Sequence, residues 1–160
     1  MTSSIVSRIA NGWPGCANFV DFREVRELGD ADSYATRLHN YAGTGLDQLR
    51  GVSDRLRSDP LSRSASITTF QPLSDSSYIP CVSLLDFYLD DGALHLVVYA
   101  HSIDVGAKGH ANLLELAVIQ HQVALNLELP VGTLVMIVKS SHVYDRDAAY
   151  VSSVLDSFSL

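Results

Sequence analysis

Residues 82–101 read VSLLDFYLDDGALHLVVYAH: two apolar runs, VSLLDFYL and ALHLVVYAH, on either side of Asp90-Asp91-Gly92. Asp-Gly supplies the positive φ angles that a two-residue turn needs, and the flanks are rich in β-branched and aromatic residues, so the stretch predicts a β-hairpin. The runs are apolar at successive positions, as expected of central strands in a sheet. Downstream, the small-residue loop SIDVGAKGHA (102–111) leads into NLLELAVIQHQVALNLEL (112–129), whose length and Leu/Ala/Gln content predict a buried helix with Asn112 near its N-cap. Leu-Pro-Val-Gly (129–132) closes it. TLVMIVKS (133–140) then reads as another buried strand, which delivers SHVYD (141–145) to its end shortly before the chain stops.

Upstream of the hairpin, SASITTFQ (64–71) predicts a strand bounded by Pro72. Between Thr44 and Ser58, Leu46, Leu49, Val52 and Leu56 fall on one helical face, and Asp59-Pro60 ends the run. The segment up to Gly29 has no clean period and reads as loop with a short helix. The expected fold is α+β: a mixed β-sheet with helices packed on one face. TLVMIVKS and ALHLVVYA are apolar on both faces, and the helices are too few to cover both. A homodimer through the other face is therefore expected.

The chain has 160 residues, 47% apolar and 18% charged, with a net charge of −7. This fits one domain over 1–160 with a core of its own. The acidic balance argues against nucleic acid polymers and anionic membranes, which attract basic surfaces. The two cysteines, Cys16 and Cys81, form no C-x-x-C pair, and no run approaches the roughly 20 apolar residues of a membrane span. A soluble, cytoplasmic protein is expected. His101, His110 and His121, with Asp104, lack compact ligand spacing, so no metal is expected.

Cys81 follows Ile79-Pro80 at the mouth of the first hairpin strand, and His142 and Tyr144 end another. By residue type alone, a cysteine is more often a packed hydrophobe than a nucleophile. The surrounding sequence changes that balance. Pro80-Cys81 opens a hairpin that Tyr99-Ala100-His101-Ser102-Ile103-Asp104 closes; Asn112 follows in the next helix, and His142-Val143-Tyr144 ends a later strand. Upstream stand Asp47-Gln48 and Asp59-Pro60-Leu61-Ser62-Arg63, with Tyr34 in SYATRL. In order and spacing, from about Tyr34 to Tyr144, this series resembles the thymidylate synthase family.

The resemblance implies C5 one-carbon transfer, methylation or hydroxymethylation, to a uracil-like pyrimidine, with 5,10-methylenetetrahydrofolate as the one-carbon donor. Cys81 would be the thiol that adds to C6, assisted by Tyr34 and Asp104. Asn112 would read the ring through one amide donor and one acceptor, a pattern that matches O4 and N3–H of uracil and is reversed for cytosine. His142 and Tyr144 would hold the sugar 3′-hydroxyl, and Asp104 would also meet the folate. Arg63, Ser102 and His101 would meet a phosphate, with Arg63 reaching in trans into the neighbour's site and favouring the thiolate.

Departures from the family pattern accompany these matches. Ser64 and His101 stand where the family has phosphate-binding arginines, and Ser140 stands where it has an aspartate before His-x-Tyr. Neither Glu24 nor Glu27 matches the family's proton-relay glutamate in spacing, and the only tryptophan, Trp13, lies upstream of the matched stretch. The family's terminal segments also look truncated. A weakened phosphate cage makes an unphosphorylated nucleoside an option, unless Lys108 or a second subunit supplies the charge. Two alternatives stay open: a folate-independent enzyme using the Cys81 addition on another ring, and a non-catalytic relative that binds ligand or dimerises.

Overall fold

The computed structural model describes residues 32–75 and 79–158. The hairpin forms as expected: β2 (Val82–Asp90) and β3 (Ala93–Ala100) are antiparallel, with Leu85 opposite Val98 and Phe87 opposite Leu96. Its turn places Asp91 at φ 46° and Gly92 at φ 72°, the geometry for which Asp-Gly is suited. β1 (Ala65–Thr68) adds antiparallel to β2, and β5 (Val131–Val138) adds parallel to β3, giving the order β1-β2-β3-β5. The sheet is mixed and the fold is α+β.

One face of the sheet is dry. Ile67, Leu85, Phe87, Leu94, Leu96 and Val98 are buried there under α2 (Gln48–Ser58) and α3 (Gly109–Leu127). Leu49, Val52 and Leu56 come from α2, and Leu116, Ile119 and Val123 from α3. A shorter helix, α1 (Tyr34–His39), packs beside α2 and β1. Among the described residues no helix packs on the other face. There Leu84 lies opposite Tyr99 and Tyr99 beside Ile137, while Asp86, Val97 and Val135 form the next rung. Leu84, Tyr99, Val135 and Ile137 are all exposed, so β5, expected as a buried strand, is exposed on one side and only half-buried, through Leu134, Met136 and Val138, on the other.

Register slips are repaired by side chains. Where β3 and β5 shift between Leu94 and Leu96, the Thr133 N–H donates to His95 Nδ1 at 3.0 Å and Gln120 Nε2 donates to Leu94 O at 2.8 Å. A buried backbone group needs such a partner when the ladder cannot supply one.

Several boundaries differ from those expected. Asp47 caps α2 by accepting from the Arg50 N–H at 2.9 Å, so the helix starts at Gln48 and Leu46 stays outside it, 52% exposed. β1 is four residues long, because the Thr68 hydroxyl and the turn after Gln71 take over the backbone pairing beyond it. The N-cap of α3 is Lys108, and Asn112 lies one turn inside. After SHVYD, Asp145–Phe158 form α4, for which the sequence reading named no element; it begins with Asp145 and Asp147 and has no buried residue. No helix among the described residues is long and apolar enough to cross a membrane. The segment up to Gly29, with Cys16 and Trp13, lies outside the described residues.

Candidate active site

The site residues collect where β2 begins and β3 and β5 end. Val82 pairs with Ala100, and Ala100 with Val138, so the three strand ends lie side by side. Cys81, just before β2, is half-buried and packs against the core cluster. Its carbonyl accepts from the His101 N–H at 3.0 Å, and its sulfur accepts from the Ser102 hydroxyl at 3.7 Å, which directs Sγ toward the loop after β3. His101 Nδ1 lies 3.5 Å from Ser83 Oγ.

A second, two-stranded parallel sheet joins the remaining parts. β4 (Ile103–Asp104) pairs with β6 (Ser141–His142), with Asp104 and His142 as direct partners. His142 is half-buried; Tyr144 meets it edge to face at 5.0 Å, and the Arg146 guanidinium lies 5.1 Å from the centre of the Tyr144 ring. Asp104 is 8% exposed. Its Oδ1 accepts from the Gly106 and Ala107 N–H groups at 3.1 and 3.3 Å, while Oδ2 is buried with no partner among the described residues. A buried carboxylate oxygen left without a donor is costly, and a ligand N–H would satisfy it. Asn112, also 8% exposed, sits at the start of α3, one turn beyond the Lys108 that follows the Asp104 loop.

Tyr34 is brought in from α1. It is 5% exposed and its hydroxyl accepts from the Val82 N–H at 2.9 Å, so it grips the backbone next to Cys81. Arg63 is not brought in. It is exposed and lies two residues before the Ala65–Phe87 pair, toward the hairpin turn and at the opposite end of β2 from Cys81. Ser64 is exposed in the same region. Among the described residues no three histidine, cysteine or acidic side chains come together as metal ligands.

The sequence reading missed the support behind this site. Arg37, 1% exposed, forks onto Asp75 at 2.7 and 2.8 Å and also donates to Thr69 O and Asp32 O. Burial pushes the Asp75 carboxyl up, but hydrogen bonds from Arg37 and the Gln71 N–H, with the Arg37 charge, outweigh it and hold the group below its ordinary value.

The family model for thymidylate synthase matches residues 7–157. The chain belongs to the thymidylate synthase family. A Methanosarcina barkeri protein named "Putative thymidylate synthase" is 34% identical over 125 residues, covering 77% of this chain and 57% of the relative. The deoxyuridylate hydroxymethyltransferase of Bacillus phage SP01 is 37% identical over 116 residues, 68% of this chain and 30% of that one. The bifunctional dihydrofolate reductase-thymidylate synthase of Zea mays is 30% identical over 112 residues, 68% of this chain and 22% of that one. This chain therefore spans a little over half the length of the archaeal relative and less of the others. The family match extends beyond the Tyr34 to Tyr144 stretch in which the motifs lie.

Proposed function

We propose that this chain transfers a one-carbon unit to C5 of a uracil-like pyrimidine nucleoside or nucleotide through a covalent bond from Cys81. The observation that carries the reading is the gathering of Cys81, Ser102, His101, Asp104 and His142 at one end of the sheet, drawn from three strand ends far apart in sequence. In this reading the Cys81 thiolate bonds to C6 of the ring, and the C5–C6 π pair moves toward C5 and O4. C5 becomes the nucleophile for the incoming one-carbon unit. Loss of the C5 proton then frees the transferred carbon from its carrier as an exocyclic methylene, and addition to that carbon of a hydride from the reduced folate (methylation) or of water (hydroxymethylation) expels the thiolate and restores the ring double bond. Ser102 directs the sulfur, and Tyr34 holds the peptide that bears it.

The residues fit a folate. Asp104 Oδ2 is a buried acceptor in need of a donor, and a pterin edge offers N–H groups. When bound, 5,10-methylenetetrahydrofolate supplies the one-carbon unit. The named relatives include both a thymidylate synthase and a hydroxymethyltransferase, so both endings of the reaction belong to this reading. Asn112, buried and not serving as a cap, is available to read the uracil edge. Ring selection by one amide predicts that Asn112→Asp shifts the ratio of kcat/KM toward cytosine, because a carboxyl group can accept from its exocyclic amine.

A second copy completes the reading. The open rungs Leu84–Tyr99–Ile137 and Val97–Val135 form the kind of apolar sheet face that pairs with another sheet. A neighbour docked there could present its Arg63, which lies remote from its own Cys81, to this site. With His101 and Ser102 it would meet a 5′-phosphate, although Ser64 and His101 in place of arginines make that grip weak and keep nucleosides as substrates.

The test is intact mass after incubation with 5-fluoro-2′-deoxyuridine and its 5′-monophosphate, with and without 5,10-methylenetetrahydrofolate. An adduct that maps to Cys81 and requires the folate is expected. An adduct without folate points to folate-independent chemistry, and no adduct at all removes the catalytic reading.

A further inference from the structure

The peptide joining Cys81 to Val82 is held at both ends. Its carbonyl accepts from the His101 N–H at 3.0 Å, and its N–H donates to the Tyr34 hydroxyl at 2.9 Å. The next carbonyl, that of Val82, accepts from the Thr69 hydroxyl. Val82 and Thr69 are both fully buried. In an antiparallel strand the N–H and C=O of one residue face the same neighbour, so Val82 presents both groups toward β1. β1, however, ends with Thr68 opposite Leu84, and β2 is irregular against β3 between Val82 and Leu84. The ladder stops short, and two hydroxyls complete it.

Thr69 is itself fixed. Its N–H donates to Ser83 O at 3.1 Å, and its carbonyl accepts from Arg37 at 2.7 Å. Arg37 in turn is locked by its two bonds to Asp75, a pair buried on both sides. A rigid chain of contacts thus runs from Asp75 through Arg37 and Thr69 to the residue next to Cys81.

We propose that Thr69 is a positioning residue for the Cys81 thiol: its hydroxyl fixes Val82, and Val82 fixes the backbone from which Sγ projects toward the ring. This rests on Cys81 being the nucleophile. A misplacement of about 1 Å at a reacting atom can cost roughly 100-fold in rate, so a support of this kind matters even though it never touches substrate. Nothing in the sequence distinguishes Thr69 from its neighbour Thr68; only the end of β1 does.

The test measures two rates on the full chain. One is the rate of adduct formation with 5-fluoro-2′-deoxyuridine and its 5′-monophosphate, with 5,10-methylenetetrahydrofolate present, followed by intact mass. The other is alkylation of Cys81 by iodoacetamide, followed by peptide mass, which needs an accessible thiol but no aligned one. Thr69→Val should slow adduct formation tenfold or more while alkylation stays within threefold, and Thr69→Ser should restore adduct formation to within threefold of the parent. Where Thr69→Val does not fold, Thr69→Ala is read in the same way. Parent-like adduct formation in the hydroxyl-less variant overturns the proposal. So does an equal loss in Thr69→Ser, or a tenfold rise in alkylation, which would signal loosened packing. No adduct on the parent chain, or one that survives Cys81→Ser, overturns the nucleophile reading itself.

Discussion

The two ends of β2 are built differently. At the Asp90 end the strand turns on Asp91 and Gly92 and pairs at once with β3, using residues that are neighbours in sequence. At the Val82 end the backbone is tied by Tyr34, Thr69 and His101, and Cys81 by Ser102, groups supplied by segments as far apart as α1 and the loop after β3. The first end needs only a turn. On the proposed reading the second must hold a sulfur atom in one direction, and the extra side chains serve that end.

The sharpest way to break the contrast is at the sulfur. Cys81→Ser should abolish adduct and turnover, and Cys16→Ser should leave both at the parent level; equal losses would remove Cys81 from its role. In the proposed dimer, the next effect links the two ends. With the 5′-monophosphate as substrate, Arg63→Ala should be strongly impaired and Cys81→Ser inactive, yet equal amounts mixed under exchange should regain roughly a quarter of parent turnover, since only heterodimers carry one intact site. Absence of recovery would place Arg63 outside the partner's site.

A smaller effect falls on stability. Asp75 has its folded-state value depressed, so its contribution is full above the unfolded value of about 3.9 and is lost as pH falls through the folded value. Asp75→Asn should destabilise the fold by about 3–5 kcal/mol at neutral pH, by stranding the buried Arg37 charge, and should flatten the loss of stability in acid. Urea unfolding at pH 7 and across the acid range checks both. Least of all, Gly92→Ala at φ 72° should cost about 1 kcal/mol and leave the rate of Cys81 labelling unchanged, because the turn lies at the far end of β2 from the thiol.

The same contrast explains what the sequence disclosed. Asp91-Gly92 and the alternating register of β2 and β3 are local, and the hairpin is legible from neighbouring residues. Leu46 misled because spacing places it on the α2 face, whereas the Asp47 cap decides where the helix begins. The cluster of Cys81, Ser102, Asp104 and His142 was legible only through motif order, since no periodicity brings β4 against β6. Arg37, Thr69 and Asp75 were invisible for a plainer reason: their bonds join positions with no shared pattern, and each residue alone looks like a polar surface group.

The parallel pairing of β3 with β5 has a consequence for the order of assembly. A hairpin closes a short loop, but β5 reaches β3 only after the whole of α3 has crossed over, and His142 reaches Asp104 only then. Loop closure over such a span is slow compared with turn formation. During refolding the strands flanking Asp91-Gly92 should therefore zip first, and the strand ends around Cys81 should come together last.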